Sequence, residues 1–92
     1  MRQIWKFPVE IADDVTIIMP RGAEVLYVGE QAAGLAIWAL VDPDESLEER
    51  MFHIFGTGHS IPSIIEGRDH IATVPMRDGV FVWHVFDLQG SR

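Results

Sequence analysis

Ninety-two residues, 48% of them hydrophobic and 23% charged, are enough for one folded domain and exclude a disordered chain. Fourteen acidic residues against seven basic ones leave a net charge of −7, which repels phosphate backbones and argues against direct binding to nucleic acid. The absence of cysteine excludes disulfides, zinc–thiolate sites and thiol nucleophiles together, and no apolar run approaches the roughly 20 residues of a membrane helix.

From the N-terminus onward the chain reads as short extended segments cut by turn signals, with no helical period sustained over a helix length. Met1 to Lys6 lacks the apolar stretch of a signal peptide, so a cytoplasmic location, in the cytosol of a bacterial host, is expected. Between Ile4 and Glu10, Trp5, Phe7 and Val9 fall on one face, and Pro8 predicts an edge strand. Asp13-Asp14 turns the chain into a second strand, Val15 to Met19, which Pro20-Arg21-Gly22 ends. Glu24 to Gly29 supplies a third strand and Gln31 to Gly34 a hairpin loop. Leu35 to Val41 is apolar on both faces and is expected at the centre of a sheet.

Asp44 to Glu49 is acidic and short, which predicts a solvated loop or a single helical turn. Arg50 to Phe55 forms a fifth strand that stops in the turn Gly56-Thr57-Gly58-His59. Ser60 to Arg68 then crosses the surface, with Ile61, Ile64 and Ile65 expected to pin it down. His70 to Val74 is a sixth strand, and Asp78-Gly79 marks a hairpin tip. Val80 to Leu88 is a seventh strand, apolar on both faces, so it either sits mid-core or gives one face to a subunit interface. Gln89 to Arg92 is expected to fray. About seven short strands predict an all-β fold, a small antiparallel sandwich or barrel, with residues 1–92 as its one domain.

The chemistry concentrates in the Gly-Thr-Gly-His turn. Gly56, Thr57 and Gly58 can present consecutive backbone N–H groups to a phosphate or carboxylate, with Arg50 or His59 adding charge. The alternative is a tight turn whose Thr57 and His59 hydrogen-bond their own backbone. Histidine is the residue type that titrates near neutrality, and His53, His59, His70 and His84 are the four present. Their spacing matches no metal-ligand signature, and Asp42, Asp44 and Glu45 lack the remaining positions of a calcium loop. Neither a metal nor a cofactor is expected. Ser60 follows His59 directly and so points away from it on an extended chain, which leaves no nucleophile–base pair legible. Trp5, Trp38 and Trp83 all fall within strands, a placement that predicts core positions.

Several segments together resemble a family of small phage and prophage proteins without an assigned activity: Ile4-Trp5-Lys6, Met19-Pro20 with Gly22-Ala23, Trp38-Ala39-Leu40-Val41-Asp42-Pro43, Glu49-Arg50, Gly56-Thr57-Gly58-His59 and Phe81-Val82-Trp83-His84-Val85-Phe86. The likeness runs over nearly the whole chain and carries no site residues across. It implies an accessory protein made inside a bacterial host, of a kind that binds a host protein or sequesters a small nucleotide signal of a defence pathway. The resulting expectation is a non-enzymatic binding module, self-associating into a homo-oligomer, with a ligand site at Arg50, Gly56, Thr57, Gly58 and His59. A structural or assembly component of the virion and a small hydrolase with His59 or His84 as its base stand as alternatives, and no catalytic residue is assigned.

Overall fold

Alternation of apolar and polar side chains at a period of two residues builds seven strands: β1 (Gln3–Val9), β2 (Asp14–Pro20), β3 (Glu24–Gln31), β4 (Gly34–Val41), β5 (Leu47–Gly56), β6 (His70–Met76) and β7 (Phe81–Asp87). The computed structural model describes residues 1–32 and 34–88, so the fraying expected at 89–92 lies outside the described residues. The strands form two antiparallel sheets, one ordered β1-β4-β3 and the other β2-β5-β7-β6. The sheets pack face to face as a sandwich, not a closed barrel. Among the described residues one short 3₁₀ turn, Gly67–Asp69, interrupts this pattern.

The core lies between the sheets. Leu35, Ile37, Ala39 and Val41 of β4 share one core cluster with Met19 of β2, Phe52 and Ile54 of β5 and Val85 of β7. Each inward row is the odd or even half of its strand, which the pleat requires. Strand β4 is central in its sheet and β1 is an edge, as the two-sided apolarity of the one and Pro8 of the other predict. Strand β7 is an inner strand whose second face is also covered: Phe86 packs with Phe55, Ile65 and Leu88 in a smaller cluster outside the four-stranded sheet.

Three expectations are corrected. Leu47-Glu48-Glu49 is not loop but the first part of β5, paired with Pro20, Met19 and Ile18 of β2, because an edge ladder accepts charged side chains on its solvent face. Of the three isoleucines expected to anchor the surface crossing, Ile65 is buried while Ile61 and Ile64 are exposed; one apolar anchor suffices to cover Phe55 and Phe86. Asp78-Gly79 does sit at the tip of the β6–β7 hairpin: Met76 pairs with Phe81 across the loop 77–80, and Val80 N–H donates to the Arg77 carbonyl at 3.1 Å. Arg77 and Asp78 take φ values of 52° and 56°, and Gly79 N–H donates to the Met76 carbonyl at 3.1 Å. Of the three tryptophans expected in the core, Trp5 and Trp83 are half-buried against it, whereas Trp38 lies on the outer face of the three-stranded sheet beside Tyr27, ring centroids 5.7 Å apart.

Candidate functional site

Strands β5 and β7 run antiparallel, with Phe52 opposite Asp87 at one end and Gly56 opposite Trp83 at the other. The structure separates the sequence-predicted residues along this ladder. Six residues of extended chain place Arg50 about 20 Å from Gly56, beyond the reach of its side chain. Arg50 shares its strand face with Phe52 and Ile54 and is therefore inside the sandwich, 7% exposed. Its guanidinium makes a two-pronged pair with Asp87, Nε to Oδ1 at 3.3 Å and Nη2 to Oδ2 at 2.8 Å. Nη1 donates to the Ala23 carbonyl at 2.8 Å. A buried cation with its donors engaged this way organises the fold, and it is not available to a ligand at the turn.

Gly56, Thr57, Gly58 and His59 do gather. The Gly56 N–H donates to His59 Nδ1 at 3.2 Å, and the imidazole lies so close over Gly56 that a Cβ there would stand 2.9 Å from His59 Cε1. Glycine at position 56 lets the ring approach this closely, and glycine at position 58 is favoured by a φ of 90°. Because Nδ1 accepts, a neutral His59 carries its proton on Nε2. The backbone is less open than a run of free donors: Thr57 N–H donates to the Val82 carbonyl at 3.3 Å and His59 N–H to the Gly56 carbonyl at 3.1 Å. A three-donor anion nest is thus not formed; part of the turn's polarity is spent on the turn itself.

The turn nevertheless walls a cleft of about 210 Å³ at the open end of the sandwich, lined by Gly56, Thr57, His59 and the run Val80 to Trp83. Phe81 and Trp83, two apart and so on one face, stack with centroids 6.0 Å apart and planes 12° from parallel. The Arg77 guanidinium sits over the Phe81 ring at 5.8 Å. Among the described residues Arg77 forms no ion pair. Its left-handed backbone is a conformation that costs a non-glycine residue about 1 kcal/mol or more. A cleft that sets two stacked aromatic rings beside polar groups, with a cation nearby, can hold a small ligand with a flat portion and a negative group. A wider groove of about 440 Å³ runs between the edge strands β3 and β6, but its lining includes no cation.

The histidines divide among three settings. His84 is held by two threonines, Nε2 at 2.7 Å from Thr57 Oγ1 and Nδ1 at 3.0 Å from Thr73 Oγ1, and Thr73 also meets His70 Nε2 at 2.8 Å. His53 Nδ1 contacts Asp14 Oδ1 at 2.8 Å, while its buried Nε2 has no hydrogen-bond partner among the described residues, an arrangement that suits a proton on Nδ1 and a bare lone pair on Nε2. His59 closes the turn. Among the described residues no three histidine or carboxylate side chains cluster as a metal site.

Sequence reasoning missed Arg77, Phe81 and Trp83 as site residues. The available signal was the hairpin itself, which returns β7 beside the Gly-Thr-Gly-His turn. The architecture is therefore a small two-sheet β-sandwich with an aromatic-lined cleft at one end of its β5–β7 ladder. The chain belongs to the family described as a domain of unknown function, DUF7352, which matches residues 1–92. No curated protein and no solved structure matches it. No helix among the described residues is long and apolar enough to cross a membrane.

Proposed function

We propose that this chain is a non-enzymatic binding module that captures a small, nucleotide-like anion in the cleft between the Gly-Thr-Gly-His turn and the start of β7. The observation that carries this reading is Arg77, a cation without an ion-pair partner among the described residues, held in a strained turn over the Phe81 face. Strain retained in a tight turn is a pointer to use. Arg77 takes the role that the sequence alone suggested for Arg50. Phe81 and Trp83 supply the flat apolar surface, and Thr57 and His59 Nε2 the polar contacts. The resemblance to phage and prophage accessory proteins supports placing such capture inside a bacterial host, in counter-defence.

Native mass spectrometry of the protein purified from a bacterial cytosol tests this. An added mass of nucleotide size, released intact on denaturation and lost in both Phe81→Ala and Arg77→Ala, is the expected result. A bare chain that also gives no chemical-shift change at Gly56–His59 or Val80–Trp83 with millimolar AMP overturns it.

The outer face of the three-stranded sheet favours a second copy as partner. Ile4, Trp38, Leu40 and Tyr27 occupy facing register positions there, and Ile4 and Tyr27 are 61% and 63% exposed. Sedimentation equilibrium should show a dimer that Trp38→Lys dissociates. The 2.7 Å contact between Thr57 Oγ1 and His84 Nε2 favours a second reading, a hydrolase with Thr57 as nucleophile. A threonine hydroxyl, not a carboxylate, stands behind that imidazole, and the N–H groups of Thr57 and His59 are already engaged. A ligand released chemically altered would decide for this second reading.

A further inference from the structure

Across the outer face of the four-stranded sheet, side chains from the turn, β7 and β6 join in one continuous row: Thr57 Oγ1 to His84 Nε2 at 2.7 Å, His84 Nδ1 to Thr73 Oγ1 at 3.0 Å, and Thr73 Oγ1 to His70 Nε2 at 2.8 Å. The register builds it. Thr73 stands opposite His84 in the β6–β7 ladder, and Thr57 extends β5 past the Gly56–Trp83 pair. A shift between His70 and Ala72 turns His70 to the same side as Thr73. One end of the row, Thr57, lines the cleft, while Thr73 lines the wider groove between β3 and β6.

With both imidazoles neutral, three proton arrangements complete all three bonds. A hydroxyl has one proton to donate and two lone pairs to accept with, and a neutral imidazole has one N–H and one acceptor nitrogen. Thr73 touches two ring nitrogens, so it either accepts from one ring and donates to the other or accepts from both, but it cannot donate to both. In the first kind of arrangement Thr57 donates to His84 Nε2 and His84 donates from Nδ1 to Thr73; Thr73 then either donates to His70 Nε2 or accepts from it, so His70 carries its proton on either nitrogen. In the second, His84 donates from Nε2 to Thr57 and its Nδ1 accepts from Thr73, which leaves Thr73 only lone pairs for His70 Nε2. Both rings then carry the proton on Nε2, and Thr57 accepts from His84 with its own O–H released. The Nε2–H form of His84 thus requires the Nε2–H form of His70, and the tautomer of His84 fixes what Thr57 can offer.

We infer that this row is a hydrogen-bond relay that sets the polarity of Thr57 in the cleft, and through it the kind of ligand atom the cleft accepts. In the first arrangement Thr57 offers the cleft lone pairs alone. In the second it donates. A phosphate or carboxylate oxygen is an acceptor only, so an anionic ligand placed on Thr57 selects the second arrangement and moves both rings to the Nε2–H form. Thr73 and His70 are positioning residues, acting on the ligand only through His84 and Thr57. The consequence for ligand choice rests on the cleft reading above; the coupling of the two rings does not.

Long-range ¹H–¹⁵N correlation spectra of the full chain at about pH 8.5, above the ordinary histidine range, report which ring nitrogen carries the proton. His70 is expected to carry its proton on Nε2 at least as often as His84 does, and Thr73→Val, an isosteric change on an exposed strand position, should remove that dependence and change the populations. A larger Nε2–H population in His84 than in His70, or populations unmoved by Thr73→Val, would overturn the relay. Addition of millimolar AMP should shift His84 toward Nε2–H and bring His70 to at least the same population, and in Thr73→Val should shift His84 alone. If AMP binds and His84 does not move, the relay does not set Thr57. Failure of AMP to bind, with the ring populations still so ordered and still changed by Thr73→Val, counts against the cleft and leaves the coupling standing.

Discussion

The two ends of the β5–β7 ladder hold polar groups under opposite conditions. At the Phe52–Asp87 end, Arg50 and Asp87 are sealed inside the sandwich, and the guanidinium also bonds the Ala23 carbonyl. At the Gly56–Trp83 end, Thr57, His59 and Arg77 are exposed around an aromatic-lined cleft. Burial with full pairing holds charge for the fold, whereas exposure beside a concave apolar surface leaves it for a partner. Arg50, the cation the sequence singled out, and Arg77, which it did not, are thereby sorted by which end they occupy.

The largest effect should come from breaking the sealed end. Arg50→Ala leaves Asp87 buried without its cation, and loss of one partner of a buried pair is expected to destabilise the fold by about 3–5 kcal/mol in urea unfolding. Arg50→Met combined with Asp87→Leu should recover most of that loss, since well-packed apolar residues often replace a buried pair without penalty. If Arg50→Ala instead kept native stability and lost AMP binding, the contrast between the two ends would be void.

How much of this was legible follows from the period of two. Apolar runs and turn residues locate all seven strands, the central place of β4 and the edge place of β1, because those depend on local alternation. Arg50 was readable only in part. It shares parity with Phe52 and Ile54, but Met51 and Phe55 make the other face apolar as well, so parity alone does not say which face is inside. Asp87, a single acid after Val85 in the same parity, was the unread hint of an internal cation. The cleft was not legible, since it depends on the β5–β7 register and on the left-handed backbone of Arg77, one residue before the expected Asp-Gly tip. The Thr57–His84–Thr73–His70 row was equally hidden, because its members are far apart in sequence and meet only through cross-strand pairing.

The open end should tolerate change with a smaller stability effect and a larger functional one. Gly56→Ala puts a Cβ 2.9 Å from His59 Cε1, and the ring, a movable side-chain tip, must swing away. The Gly56 N–H then loses its acceptor. A destabilisation of about 1 kcal/mol is expected, the usual worth of one such hydrogen bond. AMP-induced shifts at Val80–Trp83 should fall together with it. Retention of those shifts would show that His59 closes the turn and takes no part in the cleft.

The smallest stability change should also have the opposite sign. Arg77 holds a φ of 52°, and replacing it with glycine releases strain of about 1–2 kcal/mol. Glycine also widens the unfolded ensemble, which takes back roughly 0.4–1 kcal/mol. The net for Arg77→Gly is a gain of about 0.5–1 kcal/mol, read as a higher urea midpoint at unchanged slope. Loss of the guanidinium over Phe81 should at the same time abolish the preference for AMP over adenosine, measured by the same chemical-shift titration. A variant more stable than the parent and poorer at anion capture would mark the strain as kept for the ligand. A variant more stable and equally good at capture would reduce Arg77 to a turn residue and leave the cleft without its cation.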